Sequence, residues 1–513
     1  MKDKVKKIIY LICLILICAL MFFWIDKKEG FHEDETFSYG SSNCDDCNVY
    51  QVYGKRDENN IIFLDENPFI TIKNLIYYKL KPDEYKKVYD ETYNGHTPIW
   101  RSSEEATEYM TLDKDELFNY FIVYYNTGED VHPPLFYFLV HFVSSFWLGS
   151  FSKYIIFIVN LVFLLLTCFM IKKILEILKK EYLIFPTTIF YAMSIGAIST
   201  VMFQRMYMML TFFGLWFLYV NLKIYFNEFE LTKKLKFELC LVTILGFLTQ
   251  YYFCVYAAFV ALVMLILLIK RKEKEKVKTY IFQFIKSAII GIIVFIPCIY
   301  HIFFSYRGVT FQRDKQNFFE MVPLFIENIL KLQFGNEIIG LVAMIAIIII
   351  SIISFKKIKN KELPILFIVP VLLYLLLISK LAPFKSVRYI MNLLPLISII
   401  IMLILDKIFK NKKIGFIVLT IFALTISVYT NLVNTPKYLY VSYADYMEVA
   451  EKNKDNKLVF VCDTVYNHLR NIKEFMTYEE SLILAPENLE QLENDEKLKN
   501  EDEFILSIQK WIR

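Results

Sequence analysis

Charged residues are missing from long stretches of this chain. Runs of 17 or more residues without Asp, Glu, Lys or Arg recur along it, separated by short blocks in which the charges crowd together. Seventeen helical residues extend about 26 Å, close to the hydrocarbon thickness of a bilayer. A chain patterned this way does not fold as the several soluble domains that 513 residues would otherwise suggest. Composition agrees, since 56% of the side chains are apolar and there are 47 Phe and 35 Tyr, more apolar surface than a few globular cores can hide. The 57 basic and 53 acidic residues leave a net charge of only +4, which argues against nucleic acid as a partner. The reading is a multi-pass membrane protein whose first partner is the lipid bilayer.

Residues 8–25 follow the basic start MKDKVKK and lack a small-residue cleavage site, so they are expected to stay as an anchor with the amino terminus inside. Further uncharged runs lie at about 154–171, 182–204, 206–222, 239–269, 287–306, 338–355, 363–379, 389–405 and 414–434. The 239–269 run is too long for one crossing, and Gln250-Tyr251-Tyr252 near its middle predicts a tight outer hairpin between two short spans. The segment Pro134–Leu148 is ambiguous, and the basic residues arbitrate. If it does not cross, the inner segments hold 26 Lys and Arg and the outer connections about 8, as the positive-inside rule requires. If it crosses, the pattern inverts. Pro133–Gly149 is therefore read as a juxtamembrane or re-entrant helix on the outer side.

The expected architecture is an all-α polytopic bundle of about 11 transmembrane helices in the cell membrane, with a long first extracytoplasmic loop and a small carboxy-terminal α/β domain. Its parts are a first helix (1–25), the loop with its juxtamembrane helix (26–152), the bundle (153–434) and the outer domain (435–513). In that last domain Leu458–Cys462 and Ser481–Ala485 read as short buried strands and Leu489–Glu503 as a charged helical stretch. Six of the nine cysteines lie in apolar spans, where a thiol acts as a small hydrophobe. Cys44 and Cys47 form a C-x-x-C in the outer loop, open to a disulfide, a redox pair or unpaired thiols. With no second outer pair, a structural zinc is not expected.

Three polar groupings carry chemistry. The first is Phe31-His-Glu-Asp-Glu-Thr-Phe-Ser38, just past the first span. Its bland reading is a solvated loop. Its functional reading makes Asp34 or Glu35 a general base for an acceptor hydroxyl, with the neighbour tuning it, or makes the pair the holder of a divalent metal ion. The second is Asp130-Val-His132-Pro-Pro, where Pro133 suits a helix start and Asp130 and His132 are polar groups set directly before an apolar helix. The third is arginine usage: nine Arg occur beside 48 Lys. Arg205, Arg307, Arg313 and Arg388 all fall in outer connections or helix ends. Guanidinium is a planar fork that binds phosphate oxygens bidentately; the alternative is an interfacial anchor. Arg205 and Arg388 are the sharper pair because each sits in a tight connection between spans. Carboxylates and arginines on one face suit a lipid that brings phosphate and a sugar from the bilayer.

Several strings occur in the order seen in GT-C glycosyltransferases: His32-Glu-Asp-Glu35, Asp130-Val-His-Pro-Pro-Leu-Phe-Tyr137, Phe203-Gln-Arg-Met-Tyr207, Leu248-Thr-Gln-Tyr-Tyr252 and Val387-Arg-Tyr-Ile-Met-Asn-Leu-Leu-Pro395. Over about residues 8–405 the chain resembles the bacterial relatives of protein O-mannosyltransferases and lipid A aminoarabinose transferases. The resemblance implies Asp34 as catalytic carboxylate with Glu35 as its partner, and Asp130 as a second acidic residue. It implies Arg205 and Arg388 facing a donor phosphate, with Gln204 and Tyr207 lining that pocket and His132 and Tyr137 lining the substrate site. The implied activity is transfer of a sugar from a polyprenyl-phosphate donor to a protein, lipid or cell-envelope glycan acceptor outside the cytoplasm. The rival expectation is a transporter or flippase of a lipid-linked glycan, which would carry mid-membrane charges, paired repeats or broken helices. A structural membrane protein with an adhesive outer domain would leave the arginine pattern without a reason.

Overall fold

The computed structural model describes residues 3–45, 98–303, 318–355, 360–462, 467–499 and 503–508, with residue 501 and isolated positions between 73 and 84. The chain forms two compact units built from discontinuous segments. One comprises Met1–Asp26, Phe157–Phe295 and Asp314–Lys437, and the other Lys27–Ile156, Ile296–Arg313 and Tyr438–Arg513.

The first unit is the membrane bundle. Among the described residues nine helices are long and apolar enough to cross a bilayer, or ten if a bent pair counts as one span. Most fall where the uncharged runs predict them. The 239–269 run divides as expected, into helices Lys233–Thr249 and Tyr252–Lys270 joined at Gln250-Tyr251. The run at 287–306 is a correction: the crossing helix is Lys274–Val294, thirteen residues earlier. Counting uncharged residues misplaces it because Lys276, Lys278 and Lys286 belong to the helix itself.

The 182–204 run is not one straight helix. It breaks between Ile184–Ala192 and Ile195–Met202, which are bent by 58°. A break inside an apolar bundle strands backbone carbonyls that no water can satisfy. Neighbouring side chains supply the donors here. Gln333 donates to the Phe190 carbonyl at 2.9 Å, and Asn431 to that of Met193 at 2.8 Å. Asn160 donates to the carbonyls of Val201 and Phe203 at 3.1 and 3.0 Å, while the Ser194 hydroxyl caps the second piece by accepting from the Ala197 N–H. The break and the turn that ends its second piece are thus specified by residues on three other helices.

One end of this unit is laced by ion pairs. Lys180 reaches Asp406 at 2.6 Å, Arg271 reaches Glu362 at 2.7 Å, Lys276 reaches Glu230 at 3.1 Å, and Lys223 contacts Glu238.

The second unit joins the loop after the first span to the carboxy-terminal segment. Strands β1 (Ile99–Ser102), β2 (Lys457–Val461), β3 (Glu480–Leu484) and β4 (Phe504–Ile508) form one mixed sheet in the order β1-β3-β2-β4. β2 and β3 are the two strands expected from sequence. β1 pairs antiparallel with β3, Trp100 opposite Leu482, while β2 is parallel to both β3 and β4. Val459, Val461, Leu482, Leu484 and Leu498 form the core beneath it, covered by Trp100 and Leu492. The stretch expected as a helix over Leu489–Glu503 holds only a 3-10 helix, Pro486–Asn494. Helix Glu33–Asn43 packs so closely on helix Ser103–Met110 that a Cβ at Gly40 would sit 2.2 Å from the Tyr109 ring. Helix Leu135–Ser144 is ten residues, about 15 Å, half of what a crossing needs. Its first helical residue is Leu135, with Pro134 as N-cap, two residues later than a start at Pro133 would give.

Candidate functional site

The acidic string His32–Glu35 is the entry into helix Glu33–Asn43. His32 is the N-cap: its Nδ1 accepts from the Asp34 N–H at 3.1 Å, and Glu35 accepts from the His32 N–H at 2.7 Å, a reciprocal capping box. Three carboxylates in the first turn complement the positive end of the helix dipole. Their surroundings differ sharply.

Glu35 and Lys28 have no solvent exposure, and the Lys28 Nζ donates to both Glu35 oxygens at 3.0 Å and to the Tyr438 carbonyl at 2.5 Å. Burial pulls the Lys28 amine below its ordinary range and Glu35 opposes it. Glu33 is bound by Arg470. Burial raises the Glu33 carboxyl, but the Arg470 hydrogen bond and charge outweigh it and hold the group below the usual carboxylate range. Asp34 lies between them, 16% exposed, with an oxygen 3.4 Å from His32 Nδ1. Lys28 and Arg470 are partners of this acidic turn that sequence reading did not single out. Arg470 did carry a signal, as one of the scarce arginines.

In the same unit Asp130 ends helix Tyr120–Glu129 and accepts a short 2.6 Å hydrogen bond with His132 Nδ1. The pair is partly open, with side-chain exposures of 35% and 13%. A carboxylate on Nδ1 fixes the ring and leaves Nε2 for proton transfer or hydrogen bonding. His301, hidden from sequence reading inside an uncharged run, joins this corner through Nε2, 2.9 Å from the Gly128 carbonyl. Burial pulls His301 below its ordinary range against the Gly128 carbonyl and Asp130, which raise it. Tyr137 is fully buried in helix Leu135–Ser144.

The remaining predicted residues belong to the membrane unit, where three connections come together. Gln204, Arg205 and Tyr207 lie in and after the turn that leads from Ile195–Met202 into helix Tyr207–Phe226, and all three are buried, Arg205 at 3% exposure. Phe203 and Tyr207 stack with ring centroids 5.5 Å apart. Arg388 lies in the 3-10 turn Val387–Tyr389, its guanidinium over the Phe384 and Tyr389 rings at 5.4 and 5.2 Å, donating to the Tyr389 hydroxyl at 3.2 Å. The next turn, Met391–Leu393, packs on helices Tyr207–Phe226 and Ile195–Met202. Tyr252, from the hairpin, meets the Tyr389 ring edge-on at 5.4 Å, and the Tyr374 hydroxyl donates to the Tyr389 carbonyl at 3.1 Å.

Helix Tyr207–Phe226 fixes how far this aromatic and arginine cluster lies from the ion-pair end. Its twenty residues, about 30 Å, run from the Arg205 turn to Lys223 and its partner Glu238. Helix Tyr252–Lys270 likewise runs from the Tyr389 contact to the Arg271–Glu362 pair.

Asp34, Glu35, Asp130, His132 and Tyr137 therefore share one unit, and Gln204, Arg205, Tyr207 and Arg388 the other. No three His, Cys, Asp or Glu side chains converge as a metal site among the described residues. Cys47, Arg307 and Arg313 lie outside the described residues. No family model, curated protein or solved structure matches the chain.

Proposed function

We propose that this chain is a membrane glycosyltransferase that moves a sugar from a polyprenyl-phosphate carrier to an acceptor outside the cytoplasm, with inversion. What supports this reading most is the meeting of three resemblance-bearing strings, those around Arg205, Tyr252 and Arg388, at the end of the membrane unit with fewer basic residues. By the positive-inside rule the lysine end faces the cytoplasm, so the arginine end faces out. A guanidinium that stays charged when buried is suited to the phosphate of a lipid whose tail remains in the bilayer.

In this mechanism the Asp34 carboxylate takes the proton of the acceptor hydroxyl. The oxygen attacks the anomeric carbon as the carbon–oxygen bond to phosphate breaks, and polyprenyl phosphate leaves with the electron pair. Arg205 and Arg388 stabilise the charge on that leaving group. Glu35, bound to Lys28, holds the acidic turn in shape, leaving Asp34 as the base. Asp130 and His132 border the acceptor, and the buried Tyr137 anchors the helix that follows them. The acceptor is a protein, lipid or cell-envelope glycan.

The test is transfer of labelled sugar from a polyprenyl-phosphate donor by purified protein, with Asp34→Asn beside wild type. Asparagine preserves the helix entry, so a folded variant without transfer supports the assignment and full activity removes Asp34 from it.

One observation favours a second reading. The 58° break between Ala192 and Ile195 is of the kind found in transporters of lipid-linked or polar cargo. If wild type moves the labelled lipid between leaflets and leaves the sugar–phosphate bond intact, the flippase reading replaces the transferase.

A further inference from the structure

At the lysine end of the membrane unit, helices Lys233–Thr249 and Lys274–Val294 pack against one another and enclose a groove of about 830 Å³. Its polar part is set by Lys233 and Lys236 on the first helix and Lys278 and Lys286 on the second. Away from these the walls become apolar, with Phe237 and Ile290 among the lining residues.

Only one of the four cations is balanced locally. Lys278 is paired with Glu275 at 2.8 Å. Lys233, Lys236 and Lys286 have no acidic side chain within ion-pair distance among the described residues. The carboxylate nearest Lys236 in sequence, Glu238, is taken by Lys223 and the Trp216 indole, and the one nearest Lys233, Glu230, by Lys276. Lys286 stands twelve residues into its helix, about 18 Å along the axis, between the exposed Ile285 and Ile289. An ammonium at that depth on an apolar helix is expensive unless it reaches the interface or meets an anion.

We propose that this groove binds an anionic glycerophospholipid, its phosphate among Lys233, Lys236 and Lys286 and its acyl chains along the walls marked by Phe237 and Ile290. Basic pockets between membrane helices on the lysine-rich side are suited to such headgroups, each lysine adding to the attraction. Free phosphate satisfies the lysines but leaves the apolar walls unmatched. The site lies at the opposite end from Arg205 and Arg388, and the inference does not depend on the transferase reading.

The experiment uses the full chain purified in detergent, incubated with mixed micelles of phosphatidylglycerol and phosphatidylcholine and washed, with bound lipid quantified by mass spectrometry. Wild type should retain phosphatidylglycerol in preference to phosphatidylcholine. The Lys233→Gln/Lys236→Gln/Lys286→Gln variant should retain about tenfold less, and Lys286→Gln alone, at an exposed position, should lower it in the same direction. A control neutralising the exposed Lys407, Lys410 and Lys413 should behave as wild type. Equal retention by the triple variant, or an equal loss in the control, overturns the proposal. Displacement of the lipid by inorganic phosphate at matched ionic strength overturns it in favour of a phosphate site.

Discussion

Lys28 and Glu35 form an ion pair with neither side chain exposed, the ammonium equidistant at 3.0 Å from both carboxylate oxygens. The pair fixes the segment that leaves the first membrane helix onto the first turn of the helix bearing Asp34. The Lys28 contact with the Tyr438 carbonyl ties that turn to the carboxy-terminal segment as well. Removing one partner leaves a buried charge without its counter-ion, so Lys28→Met or Glu35→Leu is expected to cost about 3–5 kcal/mol. The double variant Lys28→Met/Glu35→Leu should recover much of the loss, because two apolar groups need no compensation. Thermal unfolding of the four proteins in one detergent measures this cycle. Additive losses would mean that the two residues act separately.

The Glu33–Arg470 contact should make stability depend on pH in the acid range. Its folded carboxyl lies below the ordinary value, so its contribution is full above the unfolded value of about 4.5 and is lost as pH falls through the folded one. Glu33→Gln removes that dependence. The difference in unfolding midpoint between wild type and variant should shrink as pH falls from 6 to about 3.

Glu116 should act in the opposite sense. Burial first, and then Asp45 and Asp113 beside it, push its carboxyl up to about 7. A raised carboxyl stabilises the fold fully below about 4.5, and this contribution is lost as pH rises through about 7. Glu116→Gln keeps a neutral side chain throughout, so its unfolding midpoint should gain on wild type between pH 5 and pH 8. A constant difference across that range would mean that Glu116 titrates as an ordinary surface carboxylate.

How much of this was readable beforehand depends on the range of the interactions. The hairpin at Gln250-Tyr251 is legible because a polar pair interrupts a run about one and a half times the length of a span. Lys274–Val294 is misplaced because its lysines sit within the crossing helix, and a count of uncharged residues cannot tell a loop lysine from one on a helix face. Strand β1 has four residues and finds its partner, β3, about 380 positions away, so nothing local announces it. The acidic turn at His32 is visible as a cluster, but its role as a helix entry is not, since histidine is not among the common N-cap residues. Which carboxylate is engaged is not visible, since that is decided by Lys28 and by Arg470 from the far end of the chain. The break at Met193-Ser194 is hidden for the same reason: the side chains that satisfy it come from residues 333 and 431.

The turn after Met202 offers a test of the bundle itself. Asn160 serves two carbonyls, of Val201 and Phe203, at the turn that leads to Arg205. Asn160→Leu fills the space but removes that donor from both carbonyls; Phe203 keeps the Arg205 N–H, so the cost falls on the Val201 carbonyl, at about 1–3 kcal/mol. The variant should unfold at lower temperature, and on the proposed function it should lose donor affinity through displacement of Arg205. A stable Asn160→Leu protein would show that other donors satisfy these carbonyls.

Arg388 separates phosphate recognition from simple charge. Its guanidinium lies over the Phe384 and Tyr389 rings, which hold it flat. Lysine keeps the charge but loses both the fork and the stacking. On the proposed function Arg388→Lys should raise KM for the polyprenyl-phosphate donor about tenfold, the loss expected for one good charged hydrogen bond, with a smaller change in kcat. Arg388→Gln, which also loses the charge, should depress both, because the departing phosphate then lacks a counter-charge in the transition state. If Arg388→Lys matches wild type in both constants, Arg388 is an interfacial anchor, and the phosphate role falls to Arg205 alone.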